Sequence, residues 1–252
     1  MLPDNVLLET FDFYVEKSMD GGYHIYIVEW IMLAHVCRRW RSVVFQSPHR
    51  LNLRLLCTIK TPARDTLDIW PALPLVIRGI LDYEPSEDNI IAALEHNDRV
   101  CKIDLHWISS SEFECVTNCA AMQKPFPELT DLLLYKAIDD GPILSDSFLD
   151  GTAPRLRSLY LHRIPFPGLP NLLLSATHLV RLDLYGILRL GYIPQEAMAT
   201  GLSALTGLEF LRLYFIHPPP RPVIESRQSP PPTRFILPSL TKIRFRGASE
   251  YL

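Results

Sequence analysis

One six-residue frame, written again and again along the chain, limits what it can fold into more than any other feature. In Leu156-Arg157-Ser158-Leu159-Tyr160-Leu161, leucines hold the first, fourth and sixth places, with polar or aromatic residues between them. The frame returns at 129–134, 179–184 and 208–213, and in looser form at 100–105 and 240–245. First positions at 100, 129, 156, 179, 208 and 240 give steps of 29, 27, 23, 29 and 32 residues. In a strand, alternate side chains point to opposite faces, so the fourth and sixth places share a face and their neighbours share the other. One such strand cannot cover its own leucines; copies must stack and share a core, which is the logic of a solenoid. Pro127, Pro154, Thr177, Thr206 and Pro238 stand one or two residues ahead of most copies and mark their entry.

The bulk properties allow this. A chain of 252 residues, 48% hydrophobic and 21% charged, can fold as a solenoid with a small extra unit. A formal charge of −3 and a pI near 6.2 argue against a general binder of nucleic acid or anionic membranes. No apolar run approaches the roughly 20 residues that span a bilayer. The start, Leu2-Pro3-Asp4-Asn5, lacks the charged and apolar regions of a secretory signal. Five scattered cysteines suit reduced thiols in an intracellular protein better than a disulfide framework.

Along the chain, Pro3 and Asp4 prepare a helix over 2–18, with Leu7, Phe11 and Tyr14 on one face. Gly21-Gly22 breaks the chain, and a second helix is expected over 30–45, carrying Leu33, Val36, Cys37 and Trp40 inward. Arg38, Arg39 and Arg41 suit the C-terminal half of that helix, and Ser47-Pro48 ends it. A strand-like element is expected over 65–76, and helices over 86–96, 112–122 and 194–202, each ahead of a repeat strand. Elsewhere the connection reads as short and proline-marked, as at 166–170. Between 217 and 238 two proline clusters bracket a polar stretch, an insertion of extended or irregular chain. No capping unit follows the last frame, which is expected of a truncated or exposed final repeat.

The residues carry a family resemblance. Leu2-Pro3 opening a helix, followed by Leu33-Ala34-His35-Val36-Cys37-Arg38-Arg39-Trp40-Arg41, resembles an F-box over about 2–50, while the leucine frame is that of the leucine-rich repeat. Asn5 and Thr10 depart from the usual F-box residues, and 19–29 is longer than the usual connection. The whole chain, including 67–74 and 89–96, is similar to a group of F-box-like proteins of mushroom-forming fungi. This resemblance implies an α/β (α+β solenoid) fold: a helical F-box over 1–60, then an irregular leucine-rich-repeat region over 61–252 with six to seven repeats and a curved parallel sheet. It implies a non-catalytic substrate receptor of an SCF-type ubiquitin ligase, docked through Leu2, Pro3, Val6, Leu7, Phe11, Val36, Cys37 and Trp40 on a Skp-type adaptor and so on a cullin. Such a protein is intracellular, cytoplasmic or nuclear, a monomer within its complex, without cofactor or metal and without nucleic-acid or membrane partners. The alternative is an interaction scaffold whose F-box-like helices only cap the repeats.

Between the leucines, Asp131, Tyr135, Tyr160, His162, Arg181, Asp183, Tyr185, Phe210, Arg212, Tyr214, Arg244 and Arg246 are expected on the concave face, where they would hold a target protein. Ser158, Leu133 and Lys242 share that pattern. Aromatics and arginine are the types that carry interface energy, although tyrosine is also simply at home on sheet surfaces. Other chemistry is thin. Cys115-x3-Cys119 with His96, Cys101 and His106 lacks zinc-ligand spacing. No nucleophile-elbow, phosphate-loop or dinucleotide-binding glycine motif occurs. Asp139-Asp140 ahead of Gly141-Pro142 is explained by turn chemistry. Pro219-Pro220-Arg221-Pro222 has the minimum that a proline-reading groove recognises, or is a solvated loop; Ser229-Pro230 is a common dipeptide.

Overall fold

The computed structural model describes residues 2–19, 29–48, 50–81, 87–107, 110–137, 143–216 and 236–247. The glycine break, the Asp139–Pro142 turn, both proline clusters and the chain end at 251–252 lie outside the described residues. The chain is α/β, built on one eight-stranded, all-parallel sheet: β1 Leu55–Cys57, β2 Leu75–Leu81, β3 Val100–Trp107, β4 Asp131–Lys136, β5 Ser158–His162, β6 Arg181–Ile187, β7 Phe210–Phe215 and β8 Lys242–Arg246. Strand order in space is strand order in sequence, each strand hydrogen-bonded to the one before it, and the sheet does not close into a barrel.

The leucine frames explain the register. Ile103, Leu132, Leu159, Leu182, Leu211 and Ile243 stand opposite one another across six strands, and Leu105, Leu134, Leu161, Leu184, Leu213 and Phe245 form a second row. Every leucine of both rows is at most 4% exposed. A slip of one residue would turn both rows to the opposite face, so burial itself fixes the pairing. Helices α5 Glu87–Leu94, α6 Ser110–Thr117, α7 Leu169–Ser175 and α8 Gln195–Ser203 cover the leucine face through Ile90, Phe113, Leu172, Leu173, Met198 and Leu202.

Several expectations need correction. The first strand is β1; of the segment expected over 65–76, the start ends a short helix, α4 Ala63–Thr66, the middle is a loop, and only Leu75 and Val76 are strand, as the first residues of β2. β1 lies ahead of residue 61 yet pairs with β2, so the sheet begins inside the segment expected to be purely helical. The proline-marked connection at 166–170 opens α7: Pro170 occupies its first turn, where a missing N–H costs nothing. The helix expected over 112–122 stops at Thr117 and continues as a separate 3₁₀ turn, Ala120–Gln123.

At the N-terminal end, α1 Asp4–Met19 is followed by two helices, α2 Glu29–Val36 and α3 Arg38–Gln46, where one was expected. The break is Cys37, held extended at φ −159° and ψ 170°, with its Sγ accepting from the backbone N–H of Trp40 as an N-cap. Arg38, Arg39 and Arg41 therefore open α3 instead of closing a longer helix, and dipole compensation cannot explain them. Arg39 instead binds Asp4 at 2.6 Å, and Arg41 donates to the carbonyl of Ala34 at 2.9 Å, close to the end of α2. Trp30, Phe45 and Trp70 pack edge-on with centroids 5.7–6.2 Å apart, and the Trp30 indole N–H donates to the Arg54 carbonyl at 2.8 Å. This aromatic joint makes the core one continuous body from Leu7 to Phe215.

Candidate protein-interaction surfaces

Two surfaces carry the residues singled out in the sequence. On the sheet face turned away from the leucines, the register places His106, Tyr135, His162, Tyr185, Tyr214 and Arg246 in one row. The rings stack along it: His106–Tyr135 at 5.1 Å, Tyr135–His162 at 4.2 Å, His162–Tyr185 at 4.9 Å and Tyr185–Tyr214 at 4.4 Å, with interplanar angles of 11–29°. Arg246 closes the row, its guanidinium 4.8 Å from the Tyr214 ring centre and donating to the Tyr214 hydroxyl. Strands stand about 4.8 Å apart, which is close to a comfortable ring-to-ring spacing, so aromatic residues at one repeat position stack on each other.

The neighbouring row is polar and paired. Arg212 grips Asp183 with two bonds of 2.6 Å, and its guanidinium lies 5.1 Å from the Tyr185 ring and 6.0 Å from Tyr160. Asp183 is only 4% exposed, so the pair is a fixed part of the sheet. Hydrogen bonds to Asp183 raise the Arg212 pKa despite partial burial, and burial together with the Asp183 charge raises that of Tyr160. At the far end, Asp104 bonds Arg78 at 3.0 Å and His106 at 3.2 Å. Burial pushes the Asp104 carboxyl up, but those partners outweigh it and hold it below its ordinary value. In a third row, Arg181 lies 4.5 Å and Lys242 5.9 Å from the ring of Phe210, which is largely buried between them.

Of the expected target-binding residues, Tyr135, Tyr160, His162, Tyr185, Arg212 and Tyr214 are half-buried, while Arg181, Arg244 and Arg246 are exposed and Asp131 is intermediate. Asp183 and Phe210 are the exceptions; they support their neighbours and offer little surface of their own. Burial lowers the pKa of His162, and Arg163 and Arg212 add to this against a contact with the Lys136 carbonyl, so the imidazole is neutral at neutral pH. Two members of the set lie outside the sequence expectation: Arg78, on a strand without a leucine frame, and His106, at the end of the loosest frame.

The second surface is at the helices. Leu2 is 57% exposed, Val36 59% and Val6 37%, with Pro3 and Cys37 also open; Met32 at 64% and Phe13 at 68% join them. Leu7 and Phe11 are corrected: at 4% and 0% exposure they are core residues and offer a partner nothing. Trp40 is half-buried, its ring 4.8 Å from Phe11. Arg39 bonds both Asp4 and the carbonyl of Leu2, which brings the Leu2-Pro3 start beside the Val36-Cys37 break although about 34 residues separate them.

The cysteine and histidine residues considered for zinc are distributed differently. Cys101 donates to the Leu75 carbonyl from within β3, and Cys115 is exposed on α6. Among the described residues, no group of three or more His, Cys, Asp or Glu side chains is placed to hold a metal ion, and no helix is long and apolar enough to cross a membrane. No family model, curated protein or solved structure matches this chain.

Proposed function

We propose that this chain is a substrate receptor for an SCF-type ubiquitin ligase: an F-box-like helical module joined to an irregular leucine-rich-repeat solenoid. The helices dock on a Skp-type adaptor and through it on a cullin, and the open, concave face of the sheet holds a target protein. The mechanism is positional: a rigid body keeps the target within reach of the transferred ubiquitin, and no bond is made or broken by this chain. The protein acts in the cytoplasm or nucleus, as one copy within the complex, without cofactor.

The observation that carries this is the juxtaposition made by Arg39. The Leu2-Pro3 start and the Val36-Cys37 turn, the two parts of the F-box resemblance, lie together with open apolar side chains. Support for the repeat half comes from frames that align position for position in one parallel sheet. The second reading, an interaction scaffold capped by its helices, is favoured by the continuous core across Trp30, Phe45 and Trp70, as a cap would have. Co-purification from a native extract distinguishes them. Adaptor and cullin accompany the receptor; a scaffold brings down targets alone.

A further inference from the structure

We infer that the β6–β8 end of the open face binds an extended acidic peptide segment, with carboxylates at alternate positions. This rests on the reading of the open face as the target-binding surface and names what that target carries.

The open face is electrically uneven. On β2–β4 it presents Arg78 and Lys102 against Asp104 and Asp131, a balanced set, and β5 contributes only Ser158, Tyr160 and His162. On β6–β8 it presents Arg181, Arg212, Lys242, Arg244 and Arg246 against Asp183 alone. Asp183 is occupied by Arg212, and among the described residues no carboxylate forms an ion pair with the other four cations on that face. Glu209 is the nearest further carboxylate; it precedes β7 and is exposed, and among the described residues it makes no ion pair with them. A cationic region of this kind on a chain of net charge −3 is a local feature with no counterpart in the overall balance.

Spacing narrows the partner. Lys242, Arg244 and Arg246 are exposed and project from one face of β8 at every second residue. That places them about 7 Å apart, the same interval as alternate side chains of any extended peptide laid along the strand. Each guanidinium offers a carboxylate a planar, two-bond fork. Arg246 is already oriented by the Tyr214 ring and hydroxyl, so less freedom is lost when it binds. Tyr185 and Tyr214 border the cations and give the peptide stem an amphipathic floor.

The same composition of rings and cations would suit single-stranded nucleic acid, and the geometry argues against it. Bases need free ring faces to stack upon. Here the faces are taken up by one another at 4.2–5.1 Å, and the row turns ring edges outward.

The test is fluorescence anisotropy with the full chain and a labelled peptide carrying glutamate at every second position with serine between. Binding is expected, weakening as salt is raised. The variant Lys242→Ser/Arg244→Ser/Arg246→Ser, with an unchanged far-UV spectrum, is expected to bind about tenfold or more weakly, since each exposed pair contributes modestly and three are lost. Arg244→Ser alone, on an exposed side chain, gives a smaller loss in the same direction should the triple variant not fold. Lys102→Ser, at the balanced end, leaves binding unchanged. The inference is overturned if a lysine-for-glutamate peptide binds as well, if the same glutamates in one block bind as well, or if an oligouridylate of equal charge binds as tightly. Adaptor capture on the same preparation separates the two ideas. Capture without peptide binding removes this inference alone, and peptide binding without capture removes the ligase role alone.

Discussion

At the scale of single residues, the open face depends on a few pairs whose members are useless apart. Asp183 is buried only because Arg212 neutralises it, and Arg212 is aligned with the tyrosines only because Asp183 holds it. Asp183→Asn leaves the guanidinium about a quarter exposed without its partner. Breaking a buried pair costs several kcal/mol, and this partial exposure reduces the loss to about 2 kcal/mol. Urea denaturation should show it, with part of the loss recovered in Asp183→Asn/Arg212→Gln, since the residues act as one unit. His162 gives a pH signature. Its folded pKa lies below the ordinary 6.5, so the unfolded chain takes up a proton first as pH falls. Its contribution to stability is full above about pH 6.5, declines as pH drops through that value, and levels off once the folded pKa is passed. The difference in stability between wild type and His162→Gln between pH 7.5 and 5.5 isolates this contribution; equal slopes for the two proteins would refute it. The tyrosines and arginines of this face were legible in the sequence because the leucine frame fixes which residues alternate with it. The burial of Asp183 and Phe210 was not, because it follows from cations on the adjacent strands that pair with them only across the sheet.

At the scale of elements, legibility followed the frame. β3 to β8 carry it and were placed almost to the residue; β1 and β2 do not, and were missed or displaced. β2 has Gly79 at the position where its neighbour has Leu105, and Ile59 fills the space, with its Cγ2 3.2 Å from where a Gly79 Cβ would stand. That substitution of a contact from outside the strand cannot be seen in a local pattern. Cys37 was misread for a related reason: hydrophobic period continues through 30–45, but a cap geometry interrupts it. The tyrosine row has its own backbone irregularity in β6, where register shifts between Tyr185 and Ile187 at Gly186. Gly186 has φ +76°, and a Cβ there would lie 2.7 Å from Arg163 Cγ, itself rooted in a backbone bonded to Tyr185. Gly186→Ala should cost about 1–2 kcal/mol from the left-handed conformation alone. A lowered urea midpoint with unchanged slope is the expected result, and an unchanged midpoint would show that the bulge relaxes freely.

At the scale of the whole molecule, one core joins a helical end with open apolar side chains to a sheet whose far end is cationic. That separation suits the proposed receptor role, in which one end would meet the adaptor and the other the target. The core residues Leu7 and Phe11, and the half-buried Trp40 packed on Phe11, make a poor probe of docking, because changing them disturbs folding first. Leu2 and Val36 are better, being exposed and close to Arg39. The most direct measurement is calorimetric titration of the purified chain with a purified Skp-type adaptor, for wild type and for Leu2→Asp/Val36→Asp. The proposed role predicts a saturable complex for wild type and loss of at least about tenfold in affinity for the variant, as for charges placed in an apolar contact. No binding by wild type, or equal binding by both with unchanged folding, would contradict it.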